Sequence, residues 1–429
     1  MKPLAPSPAR LATPAPTMRR LVQSGLGYGA AIATANGLGA VFQFTLARIL
    51  SPGDYSLLAT LLTVVMIIGV PLGAVQAAVA RDVAARLKEG DPAEAGLVLR
   101  ETGRAIARLL PLAALGSVVV GLPLALVLNV QNVEPLIGTA ITLACSLAFP
   151  VVWGGIQGMT RFRTLGLAQL GYAALKLALG VLLAAVGAGV TGVMLGVGTA
   201  SVATLAATSF VVLPLMRAAA AVPRTRRPLL TRYHVAAAVI LGSFAVLTTV
   251  DFVVARLSFP PPLAGAYAAA SIGARALLLI ASVAATVLFP HVATLRDPRR
   301  ERRFLLGGSA AVLSVVTPFV AVYWLWPHAV LAVTFGQSYA PARHWLGPLA
   351  LAMALYAVAT VYQFHFLSLG RTKYALLVVP IVAVQIALFA AFHARPGELV
   401  AIQVAVAGLL VLASESFEQV ALRHWTDGT

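Results

Sequence analysis

The feature that most constrains this chain is the recurrence of apolar runs too long for a soluble core. Segments 24–46, 56–80, 105–129, 136–158, 165–187, 190–216, 233–257, 264–290, 304–325, 345–367, 374–393 and 399–421 are each dominated by Ala, Leu, Val, Ile and Gly. A stretch of roughly twenty such residues crosses the ~30 Å hydrocarbon layer of a bilayer as a helix. Without water, every backbone N–H and C=O must be bonded within its own segment, so spans of this kind are helical. Composition agrees, with 60% hydrophobic and only 10% charged residues against about 25% charged in soluble domains. The expected fold is an all-α polytopic membrane protein of about twelve transmembrane helices.

The net charge of +17 would suit nucleic acid if the basic residues were clustered, but they are not. Twenty-five of the 31 Lys and Arg residues fall in the tails and in alternate connections. The other connections hold only Arg48, Arg256, Arg343 and Arg395, and Lys176 and Arg275 lie within spans. This asymmetry is the positive-inside pattern. It predicts both termini in the cytosol, with membrane lipid rather than nucleic acid as the surrounding partner. The Pro-rich arm 1–20 lacks the apolar core and cleavage site of a signal peptide and is expected to be a flexible cytosolic tail. The expected division is a six-helix lobe over 21–216, a cytosolic linker over 217–232, a second six-helix lobe over 233–422 and a short cytosolic tail over 423–429.

Several features are read as structural. Cys145, the single cysteine, lies in an apolar run and can form neither an intrachain disulfide nor a zinc site. Residues 81–104 alternate basic and acidic side chains in a helical rhythm. They predict an amphipathic interfacial helix followed by a turn at Gly90-Asp91-Pro92. Trp324, Trp326 and Trp345 flank the longest outward connection and are expected at the headgroup level. Of the prolines inside spans, Pro71 and Pro380 are the candidate bending points.

The halves echo one another. Ala47-Arg48, Ser51-Pro52 and Tyr55 correspond to Ala255-Arg256, the Pro260 cluster and Tyr267, and Gly158–Arg163 is matched by Gly370–Lys373. Six helices per half leave both halves in the same orientation, related by an axis along the membrane normal. A central cavity between two lobes is then expected.

Charges within spans are costly, about 2.5 to 3.5 kcal/mol each at the bilayer centre on insertion scales, and demand a partner or a water-filled cavity. Arg275, near the centre of the eighth span, is either an anion-binding group or the fixed partner of Asp251, which differs from it in depth by only roughly 6 Å. Asp251 is also a candidate ion-coupling carboxylate. Lys176, mid-span in GYAALKLALG, is too deep to snorkel easily, and is either a cavity cation or a group paired with a carbonyl between helices. Asn36, Gln43, Gln76, Gln363 and His365, with Tyr362, supply uncharged donors and acceptors, for a polar cargo or for interhelical bonds. Glu415 and Glu418, close to the inner end of the last span, are read as neutralising the inward basic belt. No phosphate loop, zinc-binding helix or nucleophile-base arrangement is present, and Gly171 lacks the Gly-Lys-Ser/Thr core that would make Lys176 part of one. No catalytic residue, metal or cofactor is expected.

Two stretches resemble a known family. Residues 244–296, with Asp251, Ala255-Arg256, a GAYAAA start and an FPHVA finish, are similar to the seventh and eighth helices of polysaccharide flippases. These are the oligosaccharide-lipid exporters of the multidrug/oligosaccharidyl-lipid/polysaccharide flippase superfamily. The run LARILSPGDYSLLATLLTVV, continuing to AVARDVA, resembles that family's opening helices. The resemblance implies translocation of an undecaprenyl-linked oligosaccharide or repeat unit between leaflets of a bacterial cytoplasmic membrane by alternating access. It also implies that Arg275 and Lys176 hold the anionic pyrophosphate head, and that a glycan polymerase and glycosyltransferases work alongside. A multidrug or cation antiporter of the same superfamily is the alternative, and a lipid-linked peptidoglycan precursor flippase a further one. A glycosyltransferase or polymerase would need large or acidic outward loops, which this chain lacks.

Overall fold

The computed structural model describes residues 18–108, 134–219, 231–292 and 298–426, with side chains described over 27–279 and 300–420 of that range. Within it the chain is helical, and eleven helical segments are long and apolar enough to cross a membrane. The span expected at 105–129, with Pro111 and Pro123, lies almost entirely outside the described residues, as do most of the expected linker, the N-terminal arm and the short C-terminal tail.

The first set of helices comprises α1 (Met18–Ile49), α2 (Pro52–Gly69), α3 (Leu72–Lys88), α4 (92–108), α5 (Glu134–Gly158), α6 (Phe162–Ala185) and α7 (Gly189–Ala218). The second comprises α8 (Arg232–Thr249), α9 (Asp251–Ser258), α10 (Pro261–Val292), α11 (Pro298–Leu325), α12 (Pro327–Thr334), α13 (Arg343–Ser368), α14 (Ala375–Ala391) and α15 (Pro396–Thr426). In the first set α5 packs on α7 and α3, and α6 on α1 and α7. In the second, α13 is central, flanked by α10, α11 and α15, with α14 against α8. The sets meet mainly where α2 lies along α10, supported by α2 on α9 and α3 on α8.

Local chemistry explains the interruptions. Ser51 caps α2, accepting from the Asp54 amide at 3.1 Å and donating to its carboxylate at 2.8 Å, with Pro52 at the first helical position; such a cap satisfies an otherwise orphaned N–H. The expected second span is broken at Pro71, where the amides of Gly73 and Ala74 bond three residues back, to Val70 and Pro71. A proline has no N–H to give and crowds the preceding turn, which forces this tightening. Pro380, by contrast, sits inside an uninterrupted α14. The seventh span also divides, at Val250, directly before Asp251.

The helix and turn expected after the second span are present, but the helix is not a separate one. Residues 81–88 simply continue α3, and the chain turns at Gly90 (φ +81°) before α4 begins. Asp91 opens that helix by accepting from the Glu94 amide at 2.9 Å. The connection after α11, expected to face outward, holds α12 and a 3-10 turn over Gln337–Ala342, with Trp324 and Trp326 exposed on its flank.

Candidate transport cavity

Between the two sets lies a cavity of about 540 Å³, and four helices line it in the same way. From α1 come Asn36, Gly39, Ala40 and Gln43; from α2, Ala59, Leu62, Thr63 and Met66; from α6, Gln169, Tyr172, Ala173 and Lys176; and from α10, Ile272, Arg275, Ala276 and Leu279. Each is an i, i+3, i+4, i+7 stripe, one face of a helix. Small residues within these stripes leave the space, and the polar members give it its chemistry, with Thr63 alone in that role on α2. Trp153 and the Thr248, Thr249 and Phe252 group complete the wall.

One end of the bundle is closed. There Phe44 stacks edge-on to Phe335 at 5.1 Å, and Tyr55 meets Phe335 at 6.2 Å and Tyr339 at 5.7 Å. A Cβ at Gly265 would fall 1.9 Å from the Pro52 carbonyl oxygen, so only glycine allows α10 this close to α2. Two arginines cross in opposite directions: Arg48 of α1 donates to the Ala332 and Val333 carbonyls at the end of α12, and Arg256 of α9 donates to the Ser56 hydroxyl at 2.8 Å and the Gly53 carbonyl at 3.3 Å. These are the two Ala-Arg pairs that the halves share. Farther from this end, the cavity-lining Met66 and Leu279 are exposed, as is the neighbouring Ile68. On the orientation that the charge pattern predicts, the closed end is the outer one.

Asp251 and Arg275 form an ion pair. The Arg275 Nη2 donates to Asp251 Oδ1 at 2.5 Å, while the other carboxylate oxygen accepts from Ser271 Oγ at 2.8 Å and Tyr267 Oη at 3.1 Å. Tyr267, Ser271 and Arg275 are four residues apart, so a single face of α10 presents three donors to one carboxylate. Asp251 is fully buried, Arg275 is 13% exposed, and the guanidinium lies 3.8 Å over the Phe252 ring. Its Nε is buried without a partner. Bonding to the charged form at this density offsets the cost of placing a carboxylate in a low-dielectric interior.

Lys176 is placed differently. Its ammonium lies 4.7 Å over the Phe42 ring and 5.9 Å from the Tyr172 ring centroid, and no carboxylate pairs with it among the described residues. Aromatic faces offset part of the desolvation of a cation without neutralising it. Because Asp251 balances Arg275, the net charge of the described cavity wall is the single positive charge of Lys176.

Of the remaining residues singled out in the sequence, Asn36 and Gln43 line the cavity and Gln76, Gln363 and His365 do not. Gln76 donates to Gln157 at 3.0 Å, an interhelical bond within the first set. Gln363 and His365 are buried near the basic ends of α11 and α15, with Tyr362 donating to Glu415 at 2.7 Å. Glu415 pairs with Arg302 at 2.6 Å, and Glu418, fully buried, pairs with Arg371. The sequence reading missed Tyr267 and Ser271, although their four-residue spacing from Arg275 was visible, and it missed the Gln169 and Tyr172 steps that lead to Lys176.

No family model matches the chain, and no curated protein matches it in sequence. Among solved structures, the fold is similar to the inward-facing conformation of a multidrug resistance MATE family transporter of the MOP superfamily. That match has a TM-score of 0.65 and 13% identity, covering 92% of this chain and 99% of the other. The outward-facing conformation of a multidrug resistance MATE family transporter gives 0.61 at 14% identity, covering 95% and 96%. The MATE multidrug transporter DinF-BH gives 0.59 at 16% identity, covering 91% and 94%. The chain therefore has the MATE transporter fold, an all-helical architecture of about twelve helices.

Proposed function

We propose that this chain is a secondary transporter that exports amphipathic organic molecules by alternating access, and that its cargo is anionic or neutral. The observation that carries the sign of the cargo is Lys176, a cation without a counter-charge in a cavity closed at one end and shared by two helix sets. The multidrug transporters that share the fold support the amphiphile, since the cavity walls are largely apolar with a few convergent polar groups. A cationic drug would meet an uncompensated like charge and no unpaired carboxylate among the described lining residues.

A polyprenyl-pyrophosphate-linked glycan is the more specific cargo that the resemblance of helices α8 to α10 supports. Its sugars and phosphates would occupy the cavity while its tail stayed in lipid, with Lys176 as the first phosphate contact and Asn36 and Gln43 available to hydroxyls. Arg275 serves the cavity through Asp251. A proton arriving at the Asp251 carboxylate would release the guanidinium to an anion, which makes Asp251 the proposed coupling group.

The test uses the full chain in proteoliposomes with two cargoes, a polyprenyl-pyrophosphate-linked oligosaccharide and the cation ethidium. Lys176→Gln is expected to lower translocation of the anionic cargo at least about tenfold, the loss of one charge-assisted contact of about 1.4 kcal/mol or more, without loss of folded protein. Unchanged anion transport in Lys176→Gln, or faster transport of ethidium than of the anion by the wild type, would sink the assignment.

A further inference from the structure

The basic end of the second helix set holds a buried group of charges away from the cavity. Glu301 and Arg302 come from α11, Tyr362 and His365 from α13, Arg371 from the segment before α14, and Glu415 and Glu418 from α15. Arg302 is committed to Glu415 at 2.6 Å, and the same carboxylate accepts from Tyr362 at 2.7 Å and Gln419 at 2.9 Å. Arg371 is shared between Glu418 and Glu301, the latter at 3.5 Å. Three carboxylates thus face two guanidiniums. Lys373, Arg300 and Arg303 point to the exposed side, Tyr374 is bonded to Ser414 and Tyr233 to the Leu367 carbonyl.

One carboxylate oxygen of this group stands apart from both guanidiniums and faces an imidazole. His365 is 2% exposed and Glu418 is fully buried, and their Nε2 and Oε1 atoms are 3.7 Å apart. Neither His365 ring nitrogen nor Glu418 Oε1 has a hydrogen-bond partner, and the Gln363 side-chain oxygen is likewise buried and unpartnered. Unpaired polar atoms this deep are costly, and an uncompensated carboxylate more so. A proton on the imidazole answers the deepest of these defects, because it sets a cationic N–H at Nε2, 3.7 Å from the unpartnered Glu418 oxygen. With no group of three His, Cys, Asp or Glu residues arranged to hold a metal ion among the described residues, a proton is the ligand that the arrangement fits.

We propose that His365 and Glu418 together form an exchangeable proton site, separate from the Asp251–Arg275 pair and from the cavity. The site joins α13 to α15 when loaded. Unloaded, it leaves Glu418 dependent on Arg371 alone, so proton occupancy sets how firmly the basic ends of α11, α13 and α15 are held together. This does not depend on the identity of the cargo.

The test is a histidine titration of the full chain in detergent micelles, with imidazole side chains isotopically labelled and followed by NMR between about pH 5 and pH 9, a range centred on imidazole ionisation. The signal absent in His365→Gln identifies the residue. In the wild type it is expected to change protonation within this range, and Glu418→Gln is expected to move its midpoint down by at least about one pH unit, the loss of one close opposite charge. Should His365→Gln fail to fold, Glu418→Asp, which keeps the charge and moves it, identifies the same signal by its displacement. A His365 signal that never changes protonation in this range, or whose midpoint is the same in Glu418→Gln, overturns the proposal. A midpoint that follows sodium concentration at fixed ionic strength does so as well, because the site would then be a cation site.

Discussion

The two helix sets have the same fold logic and opposite interiors. In the first set, α1 to α7, every buried polar side chain among the described residues is a Ser or Thr: Ser56, Thr60, Thr63, Thr102, Thr139, Thr142, Ser201, Thr204 and Thr208. Most give their hydroxyl to the carbonyl four residues earlier in the same helix, as Thr60 does to Ser56 at 2.9 Å and Ser201 to Val197 at 2.8 Å. The helices are then held by close approach at glycine. A Cβ at Gly138 would sit 2.4 Å from the Met194 carbonyl carbon, and one at Gly96 1.9 Å from the Leu215 carbonyl oxygen. The second set buries hydroxyls of the same kind, such as Thr360 and Ser414, but also Asp251, Glu301, His365, Gln385, Gln403 and Glu418, and apart from His365 these are hydrogen-bonded to other elements. Hydroxyls bonded back to their own helix cannot change partner when helices move, whereas buried carboxylates and imidazoles can gain or lose a proton. The contrast places the buried carboxylates and imidazoles in α8–α15, with Lys176 the one charged side chain that α1–α7 bring to the described cavity wall.

The strongest way to break this contrast is at Asp251. Asp251→Ala leaves Arg275 buried without its counter-charge and removes the acceptor of Ser271 and Tyr267. The expected loss is about 3 to 5 kcal/mol, read as a lowered unfolding temperature of the detergent-solubilised chain. The double variant Asp251→Ala with Arg275→Leu is expected to recover much of that stability without recovering transport, since the residual burial penalty disappears while the coupling group stays absent. If the single variant is as stable as the wild type, the pair is not the internal anchor of the second set.

In the first set the comparable perturbation is steric. Gly138→Val places a branched side chain against the α7 backbone and is expected to cost about 1 to 3 kcal/mol, the range for overpacked cores, and more if α5 cannot shift. Transport per folded molecule should change little, in contrast to Asp251→Ala. A large loss of transport at full stability would mean that this wall moves during the cycle.

How far this was legible in the sequence differs between the sets for a physical reason. The spans follow from the length of the apolar runs, and of the cavity stripes the sequence offered only the polar members Asn36, Gln43, Lys176 and Arg275, because their apolar and small neighbours look like any other span residue. The Asp251–Arg275 pair was open to a depth argument, and the 2.5 Å contact resolves the two readings of Arg275 in favour of pairing in this conformation. Gln363 and His365 stayed open between cargo contacts and interhelical bonds because sequence gives depth in the membrane but not rotation about the axis. Helix α13 shows why: 78% of its spanning window is buried, so no apolar face distinguishes cavity from core. Glu418 was read as neutralising a basic belt, and the structure pairs it with Arg371 but buries it completely. The glycine contacts of the first set were hidden among 36 glycines, many of which meet nothing.

The smallest effects sharpen the comparison most, because they test hydrogen bonds of similar geometry in the two interiors. Gln385 of α14 donates to the Leu247 carbonyl at 3.0 Å and to Gln403 of α15 at 3.1 Å, and Tyr356 of α13 donates to the same Gln403 oxygen at 3.1 Å. Gln385→Leu therefore unlinks α14 from α8 and α15 at once. The expected cost is about 1 to 2 kcal/mol, near the upper end for interhelical bonds in membranes and consistent with leaving a buried carbonyl with one donor fewer. Thr142→Val in α5 removes a bond of 2.8 Å to its own helix and is expected to cost about 0.5 kcal/mol or less, since the bond lost lies within one helix and links it to no other. Equal costs for the two substitutions, measured by reversible unfolding in mixed micelles, would mean that polar links between helices hold the second set no more firmly than internal hydroxyls hold the first. The division between the two interiors would then rest on Asp251 alone.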